Sequence, residues 1–452
     1  MTASLDRFRA SVSADMPRVR EELAALVAFR SVADDASVAG DNRDAADWVR
    51  RALVDAGIPD VDLHETSDGS LAVIGRRPAR EGAPTVLLYS HYDVQPAGPE
   101  SAWASDPFTL TERDGRWYGR GAADCKGNLV MHLAALRAVG ESPVGVVVVC
   151  EGSEETGTGG LEHLVAERPD LVAADAVVIA DAGNVAVGEP TVTTSLRGMA
   201  IVRVDVETLG GAVHSGMYGG PAPDALVALI GMLATLHDDA GNTTIDGVDA
   251  SGTWSGADYP EDRFRADAGV LDGVGLAGDG SIADRLWARP SVTVMGMDCP
   301  PVVGSAAAVV PRASARLGLR VPPGADADAV RDALIAHLRA RVPWSARITV
   351  AEEAVGQPFA ARTDGPAYAA LTESLQEVYG REVAVAGQGG SIPLCTALQE
   401  ALPDAEIVLM GVEEPLCRIH APNESVDPSE IENLAVAEAL FLERVVRASD
   451  RG

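Results

Sequence analysis

Four apolar runs of this chain are each followed by charged or imidazole side chains. In chain order these are Thr85–Ser90 with His91 and Asp93, Val144–Cys150 with Glu154 and Glu155, Asp175–Ala180 with Asp181, and Glu406–Val412 with His420. Continuous runs rich in Val, Ile and Leu are typical of strands buried on both faces of a parallel sheet. Because ligands bind beyond the carboxyl ends of such strands, the pattern predicts a site at one edge of a sheet.

Composition restricts both the architecture and the partners. With 452 residues, 47% of them hydrophobic, the chain can bury large cores and is predicted to form two or three globular domains. Its formal net charge of −31 argues against nucleic acid or an anionic membrane as a partner, because both attract Lys/Arg-rich surfaces.

The cysteines and the amino terminus predict a soluble cytoplasmic protein. The five cysteines are odd in number and lack both a C-x-x-C pair and the spacing of a secreted disulfide framework. The first twenty residues contain no apolar core of signal-peptide length, and no later segment is long enough to span a bilayer.

Two kinds of strand pattern divide the chain. Outside its middle third, continuous apolar runs alternate with helical patterns, which indicates an α/β domain with a mostly parallel sheet. In the middle, Gly198–Glu207 and Arg312–Arg320 alternate apolar and polar residues, as strands exposed on one face do, and helical patterns over Asp224–His237 and Asp326–Arg341 accompany them. We therefore predict a catalytic domain of residues 1–194 and 357–452, and an inserted α+β, ferredoxin-like domain of residues 195–356. Gly241–Gly280 is predicted to be irregular.

The residues at the strand ends suit a pair of metal ions. His91 is predicted to bind metal through one ring nitrogen while Asp93, two residues later on the same side of the strand, orients the ring. Asp124 lies in a glycine-punctuated loop before a helical pattern, where its two carboxylate oxygens can bridge two cations. Glu154 and Glu155 are adjacent and would point in different directions on an extended segment.

This pattern assigns a role to each residue. With Asp124 shared, His91 and Asp181 would bind one cation, and Glu155 and His420 would bind the other. Glu154 would be the general base. Taken singly, each motif has an ordinary explanation, such as a packed His–Asp pair or a turn aspartate, and it is the combination that indicates a metal site.

Longer stretches around these residues resemble a zinc-dependent metallopeptidase family of carnosine-type dipeptidases, aminoacylases and succinyl-diaminopimelate desuccinylases, and resemble the dipeptidases most. The resemblance covers nearly the whole chain, and its most specific stretches are residues 90–96, 117–127, 151–157 and 420–424. It implies two zinc ions, a lid domain that also forms a homodimer, and a glutamate base beside a metal-binding glutamate.

The same resemblance implies residues that contact the substrate. His214, in His214-Ser215-Gly216-Met217-Tyr218, matches a lid histidine that reaches the partner subunit's site and stabilises the oxyanion. Arg320 matches a residue that binds the substrate carboxylate, and Gly390 with Ser391 matches a second substrate-binding turn. Gln388 and the run Ala306–Ala308 depart from the family pattern at positions that are often acidic or polar.

We therefore predict metal-dependent hydrolysis of dipeptides by a water that two metals activate. Carboxylate and imidazole ligands suit Zn²⁺ and also admit Mn²⁺ or Co²⁺. An N-acyl or N-carbamoyl amino acid amidohydrolase is the alternative that would use the same site. A non-catalytic binding protein is the alternative from another functional class, and the complete set of ligands and base argues against it.

Overall fold

The computed structural model describes residues 2–390 and 392–449. They form two compact units. Unit 1 contains residues 1–194, 361–386 and 393–452, and unit 2 contains residues 195–360 and 387–392. The division predicted from the sequence, with boundaries after residues 194 and 356, stays a prediction. Residues 357–360 and 387–392 belong to unit 2, although the sequence division placed them in the catalytic domain.

The helices and strands are numbered in chain order. The α-helices are α1 (Thr2–Val27), α2 (Ala39–Asp55), α3 (Lys126–Val139), α4 (Gly160–Glu167), α5 (Ser215–Tyr218), α6 (Ala225–Leu233), α7 (Glu261–Asp267), α8 (Ala327–Arg341), α9 (Pro366–Tyr379), α10 (Pro393–Ala401) and α11 (Pro428–Ser449). The strands are β1 (Asp60–Glu65), β2 (Leu71–Arg77), β3 (Thr85–His91), β4 (Thr111–Arg113), β5 (Arg116–Tyr118), β6 (Gly145–Glu151), β7 (Ala176–Ala180), β8 (Thr191–Leu196), β9 (Gly198–Glu207), β10 (Val213–His214), β11 (Ser291–Asp298), β12 (Ala308–Val309), β13 (Arg312–Val321), β14 (Arg347–Gly356), β15 (Phe359–Ala360), β16 (Ala384–Gln388), β17 (Glu406–Met410) and β18 (Ser425–Val426).

Unit 1 is built on a mixed sheet with a parallel centre. Its strand order is β1-β2-β6-β3-β7-β17-β8. The four neighbours β6, β3, β7 and β17 are parallel to one another, and β2 joins β6 in the antiparallel direction. Every residue of β6, β7 and β17 is buried, as the continuous apolar runs predict for strands covered on both faces.

Helices bury the faces of this sheet. Helices α1, α3, α9 and α11 pack on one another, α2 packs on β1 and β2, and α4 packs on α10. Helix α3 is almost entirely buried, from Lys126 to Leu136, because it lies between the sheet and its neighbouring helices. The packing of these helices holds the strands of the sheet in position.

Unit 2 contains a four-stranded antiparallel sheet in the order β11-β13-β9-β14. Alternate residues of β9 and β13 are buried in a core with α6 and α8, including Val202, Val204, Leu317 and Leu319. Asp224 and Asp326 cap these helices by accepting backbone N–H groups. The α+β prediction for the middle of the chain therefore agrees with unit 2, and the segment from 241 to 280 contains only the short helix α7 among its described α-helices and strands.

None of the described helices combines the length and apolar character needed to cross a membrane.

Candidate metal centre

The parallel strands of unit 1 bring the predicted ligands to one edge of the sheet. Because β6, β3, β7 and β17 are parallel neighbours, their carboxyl ends meet at the same edge. The predicted residues come from the ends of these strands and from the loop before α3: His91 ends β3, Glu154 and Glu155 follow β6, Asp181 follows β7, His420 follows β17, and Asp124 precedes α3.

His91 is the centre of the first group of ligand atoms. Its Nε2 lies 3.0 Å from Asp124 Oδ1 and 3.4 Å from Asp181 Oδ1. Glu154 Oε2 lies 4.0 Å from the same nitrogen. The imidazole is fully buried, and the buried Cys125 thiol also lies within 4.8 Å of ligand atoms of His91 and Asp181.

His420 is the centre of the second group. Its Nε2 lies 3.0 Å from Asp124 Oδ2 and 3.1 Å from Glu155 Oε2. The two oxygens of Asp124 therefore face two different imidazoles, one in each group. This is the arrangement that a carboxylate shared by two cations requires.

The spacing of the donor atoms fits divalent metal ions. Two ligands about 2.0–2.1 Å from a tetrahedral zinc ion are roughly 3.3 Å apart. The four imidazole–carboxylate distances lie between 3.0 and 3.4 Å. Among the described residues, no lysine or arginine forms an ion pair with Asp124, Glu154, Glu155 or Asp181. The carboxylates therefore lack a protein cation other than the two imidazoles, and bound cations would supply the missing positive charge.

The pKa values reflect this excess of carboxylate. Burial alone lowers the pKa of His91, but hydrogen bonds to Asp124, Asp181 and Asp93 help to raise it well above its usual range. Hydrogen bonds to Asp124 and Glu155 raise the pKa of His420 to about 10. Each imidazole nitrogen thus faces oxygens that favour a positive charge at that place, whether a proton or a metal ion carries it.

Asp93 joins His91 to the glutamate pair. His91 Nδ1 lies 3.1 Å from the main-chain oxygen of Asp93 and 3.3 Å from its Oδ1, so the backbone oxygen is the better hydrogen-bond acceptor of the two. The carboxylate of Asp93 also accepts the backbone N–H groups of Glu154 and Glu155.

Glu154 and Glu155 do not lie on an extended segment, as the sequence prediction assumed. They form a short 3₁₀ turn, Glu154–Thr156, which places both carboxylates toward the imidazoles. Because Asp93 accepts both of their N–H groups, the turn is held against β3. Burial, followed by the charge of Asp181, raises the pKa of the Glu154 carboxyl well above its usual range.

The loop that carries Asp124 is wrapped around a buried glutamate, Glu424. This carboxylate accepts the backbone N–H groups of Gly121, Ala123 and Asp124, and it pairs with Arg120 at 2.7 Å. Gly121 has a φ of +80°, which suits glycine, and the Asp124–Cys125 peptide bond is cis. Both Arg120 and Glu424 occur in the stretches that carry the family resemblance, but sequence reasoning gave neither of them a role.

Two further residues near the centre were also missed. Glu413 has carboxylate oxygen within 4.8 Å of ligand oxygens of Asp124 and Asp181, and its Oε2 is buried with no hydrogen-bond partner among the described residues. It follows the run Glu406–Val412 directly, so the strand-end rule that selected Asp181 would have found it. Gln95 donates to Glu155 Oε2 at 2.9 Å. It lies in the stretch 90–96 that carries the family resemblance, but sequence reasoning gave it no role.

The predicted substrate-binding residues lie in unit 2. His214 is exposed on β10, where its Nδ1 accepts the N–H of Gly216, and Arg320 is half-buried on β13. Gly390 lies in the segment 387–392, and a Cβ added to it would meet no atom within 4 Å. Ser391 lies outside the described residues.

Residues 87–444 match the model of peptidase family M20/M25/M40. The chain belongs to this family. It is 48% identical over 432 residues to a cysteinylglycine-S-conjugate dipeptidase from Corynebacterium striatum, covering 94% of this chain and 95% of the relative. It is 28% identical over 454 residues to a Beta-Ala-His dipeptidase from Rattus norvegicus, covering 95% and 89% of the two chains.

A solved structure, the di-peptidase Dug1p from Saccharomyces cerevisiae, shares the fold with a TM-score of 0.82. The two chains are 23% identical, and the match covers 99% of each. The M20 relatives and this likeness confirm the predicted family, the mixed α/β fold and the prediction of a metallopeptidase of the dipeptidase type. They do not favour the N-acyl or N-carbamoyl alternative.

Proposed function

We propose that this M20 peptidase hydrolyses dipeptides at a centre of two divalent cations that share Asp124. The observation that carries the proposal is the position of the two Asp124 oxygens, each 3.0 Å from a different imidazole Nε2. His91 and Asp181 complete the ligands of one cation, and Glu155 and His420 complete those of the other. Zn²⁺ is the proposed native metal, since the donor set combines imidazole nitrogen with carboxylate oxygen, and Mn²⁺ or Co²⁺ fits the same donors.

Bound divalent cations supply two functions at such a site, which are to acidify a water molecule and to polarise the scissile carbonyl. The protein's own groups then move the proton. Glu154 accepts a proton from the attacking water and donates it to the leaving amine. Its position supports this role, because its Oε2 is 4.0 Å from His91 Nε2 while its backbone is fixed by Asp93. Glu154 is thus near the ligands without replacing one of them.

His214 is proposed to stabilise the oxyanion. Its Nδ1 accepts the Gly216 N–H at 3.1 Å, so in the neutral ring the proton is on Nε2, which becomes a hydrogen-bond donor. The side chain is exposed, which leaves this donor accessible to a substrate. Arg320, Gly390 and Ser391 remain the proposed contacts of the substrate carboxylate.

A homodimer formed through unit 2 is also proposed. Val227 and Ile230, one turn apart on α6, are 54% and 51% exposed, and Met217 beside His214 is 74% exposed. Val227 and Ile230 share one exposed face of α6, and an apolar face of this kind supports a protein–protein contact. A second copy of the chain is the partner that the family resemblance implies, and it would bring its His214 to this subunit's metal centre.

The proposed substrates are dipeptides, and cysteinylglycine with its S-conjugates is the first class to test. This choice rests on the relative from Corynebacterium striatum, with which the chain shares 48% identity. A reducing cytoplasm is the proposed compartment, which agrees with the five cysteines being free thiols.

The decisive experiment compares substrates at fixed metal content. Purified protein loaded in turn with Zn²⁺, Mn²⁺ and Co²⁺ is assayed on cysteinylglycine, an S-alkyl cysteinylglycine, β-alanylhistidine, an N-acetyl amino acid and an N-carbamoyl amino acid. We expect the dipeptides to be cleaved and a chelator to abolish the activity. Cleavage of the N-acyl or N-carbamoyl compounds alone, or activity that a chelator leaves unchanged, would contradict the proposal.

A further inference from the structure

Two arginines at the four-stranded sheet of unit 2 have no acidic partner in the described part of the chain. Strands β9, β13 and β14 carry Arg203, Arg312, Arg316 and Arg347, and each of these forms an ion pair with a carboxylate. Arg320 on β13, and Arg197 immediately before β9, form none among the described residues. Arg285 and Arg339 of unit 2 also form no ion pair among the described residues, but they lie outside the strands of this sheet.

Arg197 and Arg320 are both close to Ser291, at the same end of the unit 2 sheet. Arg320 pairs in register with Ser291 on one side and with Met199 on the other. Arg197 is two residues before Met199, and its Nη1 donates to Ser291 Oγ at 3.1 Å. The side chain of Arg197 thus reaches the cross-strand neighbour of Arg320, and the charge of Arg320 is felt at Arg197 as a lowering of its pKa, after the larger effect of burial.

The second glycine-rich turn lies against Arg197. The backbone N–H of Arg197 donates to the main-chain oxygen of Gln388. The Nη2 of Arg197 is 3.0 Å from the position that a Cβ on Gly389 would occupy. Glycine therefore lets the turn approach the guanidinium. A Cβ on Gly390, by contrast, would meet open space. The turn therefore contacts the Arg197 guanidinium and leaves open space beside Gly390.

Burial makes this arrangement costly without a ligand. Arg197 is only 8% exposed, and its Nε is buried without a hydrogen-bond partner in the described structure. A buried cation beside a second cation is unfavourable unless an anion offsets both. A carboxylate suits the planar fork of arginine because it can accept two parallel hydrogen bonds.

We propose that Arg197, together with Arg320 and the turn at Gly389–Gly390, forms a two-arginine site for the terminal carboxylate of the substrate. This rests on the proposed dipeptidase function and adds Arg197 to the residues that select the substrate. The chemical class selected is a short peptide with a free α-carboxylate. Amides of the same peptides carry no charge and have an NH₂ donor in place of the second acceptor oxygen, so they are poor ligands for the site.

The test compares a dipeptide with its amide in matched variants. The kcat/KM of the metal-loaded enzyme is measured for alanylglycine and alanylglycinamide in wild type, Arg197→Met, Arg197→Lys, Arg320→Met and Arg316→Met. Arg316 is the control, because it lies on the same strand as Arg320 but is paired with Glu353. Wild type should prefer the free carboxylate. Arg197→Met should lower kcat/KM for alanylglycine by about 10- to 100-fold, mainly through KM, and leave the amide within about 3-fold.

The lysine variant and a binding measurement guard against a folding defect. Arg197→Lys keeps the charge and should retain part of the preference for the carboxylate. Binding of both peptides to the Glu154→Gln protein, measured by calorimetry, should show the same loss of discrimination when Arg197 is also replaced. Equal losses for the acid and the amide, or no loss for either, would overturn the proposal. If wild type cleaves no peptide, the dipeptidase function fails, while calorimetry still reports on the arginine site.

Discussion

The carboxylate of Glu424 accepts the backbone N–H of Asp124 at 3.1 Å, although the two residues are 300 positions apart in sequence. Glu424 also accepts the N–H of Ala123 through the same oxygen, and the N–H of Gly121 and a guanidinium N–H of Arg120 through the other. All four partners are donors. The conformation of the loop that presents Asp124, the proposed bridging ligand, therefore depends on a negatively charged acceptor supplied by the carboxyl-terminal part of the chain.

Replacing Glu424 by Gln should weaken metal binding. Whichever way the amide is oriented, its NH₂ group faces donors, so the Asp124 loop loses two of its four hydrogen bonds. We expect the affinity for both cations to fall by about 10- to 100-fold, because Asp124 is shared between them. Calorimetric titration of metal-free protein with Zn²⁺ measures this effect directly.

Glu438→Gln is the matched control for the Glu424 variant. Glu438 is likewise buried and ion-paired, in this case with His132, and it does not contact the Asp124 loop. Both variants should lose about 1–3 kcal/mol of stability from a buried hydrogen bond, but only Glu424→Gln should change metal affinity. Equal metal affinity in the two variants would show that Glu424 acts on stability alone.

Glu154→Gln should retain both metals and lose activity. The amide cannot accept the proton from water, so kcat should fall by about 10²- to 10⁴-fold. Metal content, measured by atomic emission spectroscopy, should be unchanged from wild type. Glu155→Gln is the comparison, because that side chain lies 3.1 Å from His420 Nε2 and its loss should reduce metal content. Near-normal turnover in Glu154→Gln would remove this residue as the base.

Mixing two inactive variants tests the proposed dimer. If the partner subunit's His214 serves the metal centre, a heterodimer of His214→Ala and Glu154→Gln subunits contains one site with both groups intact. Up to about a quarter of wild-type activity should return when the proteins are mixed under conditions of subunit exchange, if each variant alone loses about 10²- to 10³-fold. Mass spectrometry must show that exchange has occurred. Failure to recover activity in proven heterodimers would place His214 outside the partner's site.

The buried pair of His132 and Glu438 predicts a pH dependence of stability. His132 Nδ1 is 2.7 Å from Glu438 Oε2, and its Nε2 is 3.1 Å from the Tyr89 oxygen. Burial lowers the pKa of His132, but Glu438 raises it more, so the net shift is upward. A raised folded-state pKa gives stabilisation that is complete below the unfolded value of about 6.5 and is lost as pH rises through the folded value.

The urea midpoints of metal-free wild type and Glu438→Gln should therefore differ more at pH 6 than at pH 9. The difference isolates this pair from the other titrating groups, which both proteins share. A constant gap between the two midpoints across this range would mean that His132 does not become charged in the folded protein.

Much of the architecture was predictable from the order of apolar and polar residues. Strand β9 has the predicted bounds, Gly198–Glu207, and β13 extends the predicted Arg312–Arg320 by one residue. The reason is that burial of both sheet faces in unit 1, and of one face in unit 2, leaves a clear period in the sequence. The rule that ligands follow parallel strands predicted His91 and Asp181 at the same edge of the sheet, and their nearest ligand atoms lie 3.4 Å apart.

What sequence reasoning missed depends on long-range contacts. Glu424 and Arg197 act through backbone groups of residues 121–124 and 388–389, and no local period reports such pairings. The conformation of the Glu154–Thr156 turn was also missed, because it is set by the acceptor Asp93 rather than by local propensity. Glu413 is different, since it follows a predicted strand and could have been found.

The order of the ligands along the chain has a consequence for biosynthesis. His420 and Glu424 come more than 230 residues after Asp181, which follows the seventh strand. A nascent chain that has folded its first seven strands therefore still lacks the second imidazole and the carboxylate that accepts the N–H groups of the Asp124 loop. A ribosome-bound intermediate could retain at most a weakly held ion. If the proposed centre binds its cations, we therefore expect metal uptake to follow translation and to stabilise only those molecules whose carboxyl-terminal segment has docked.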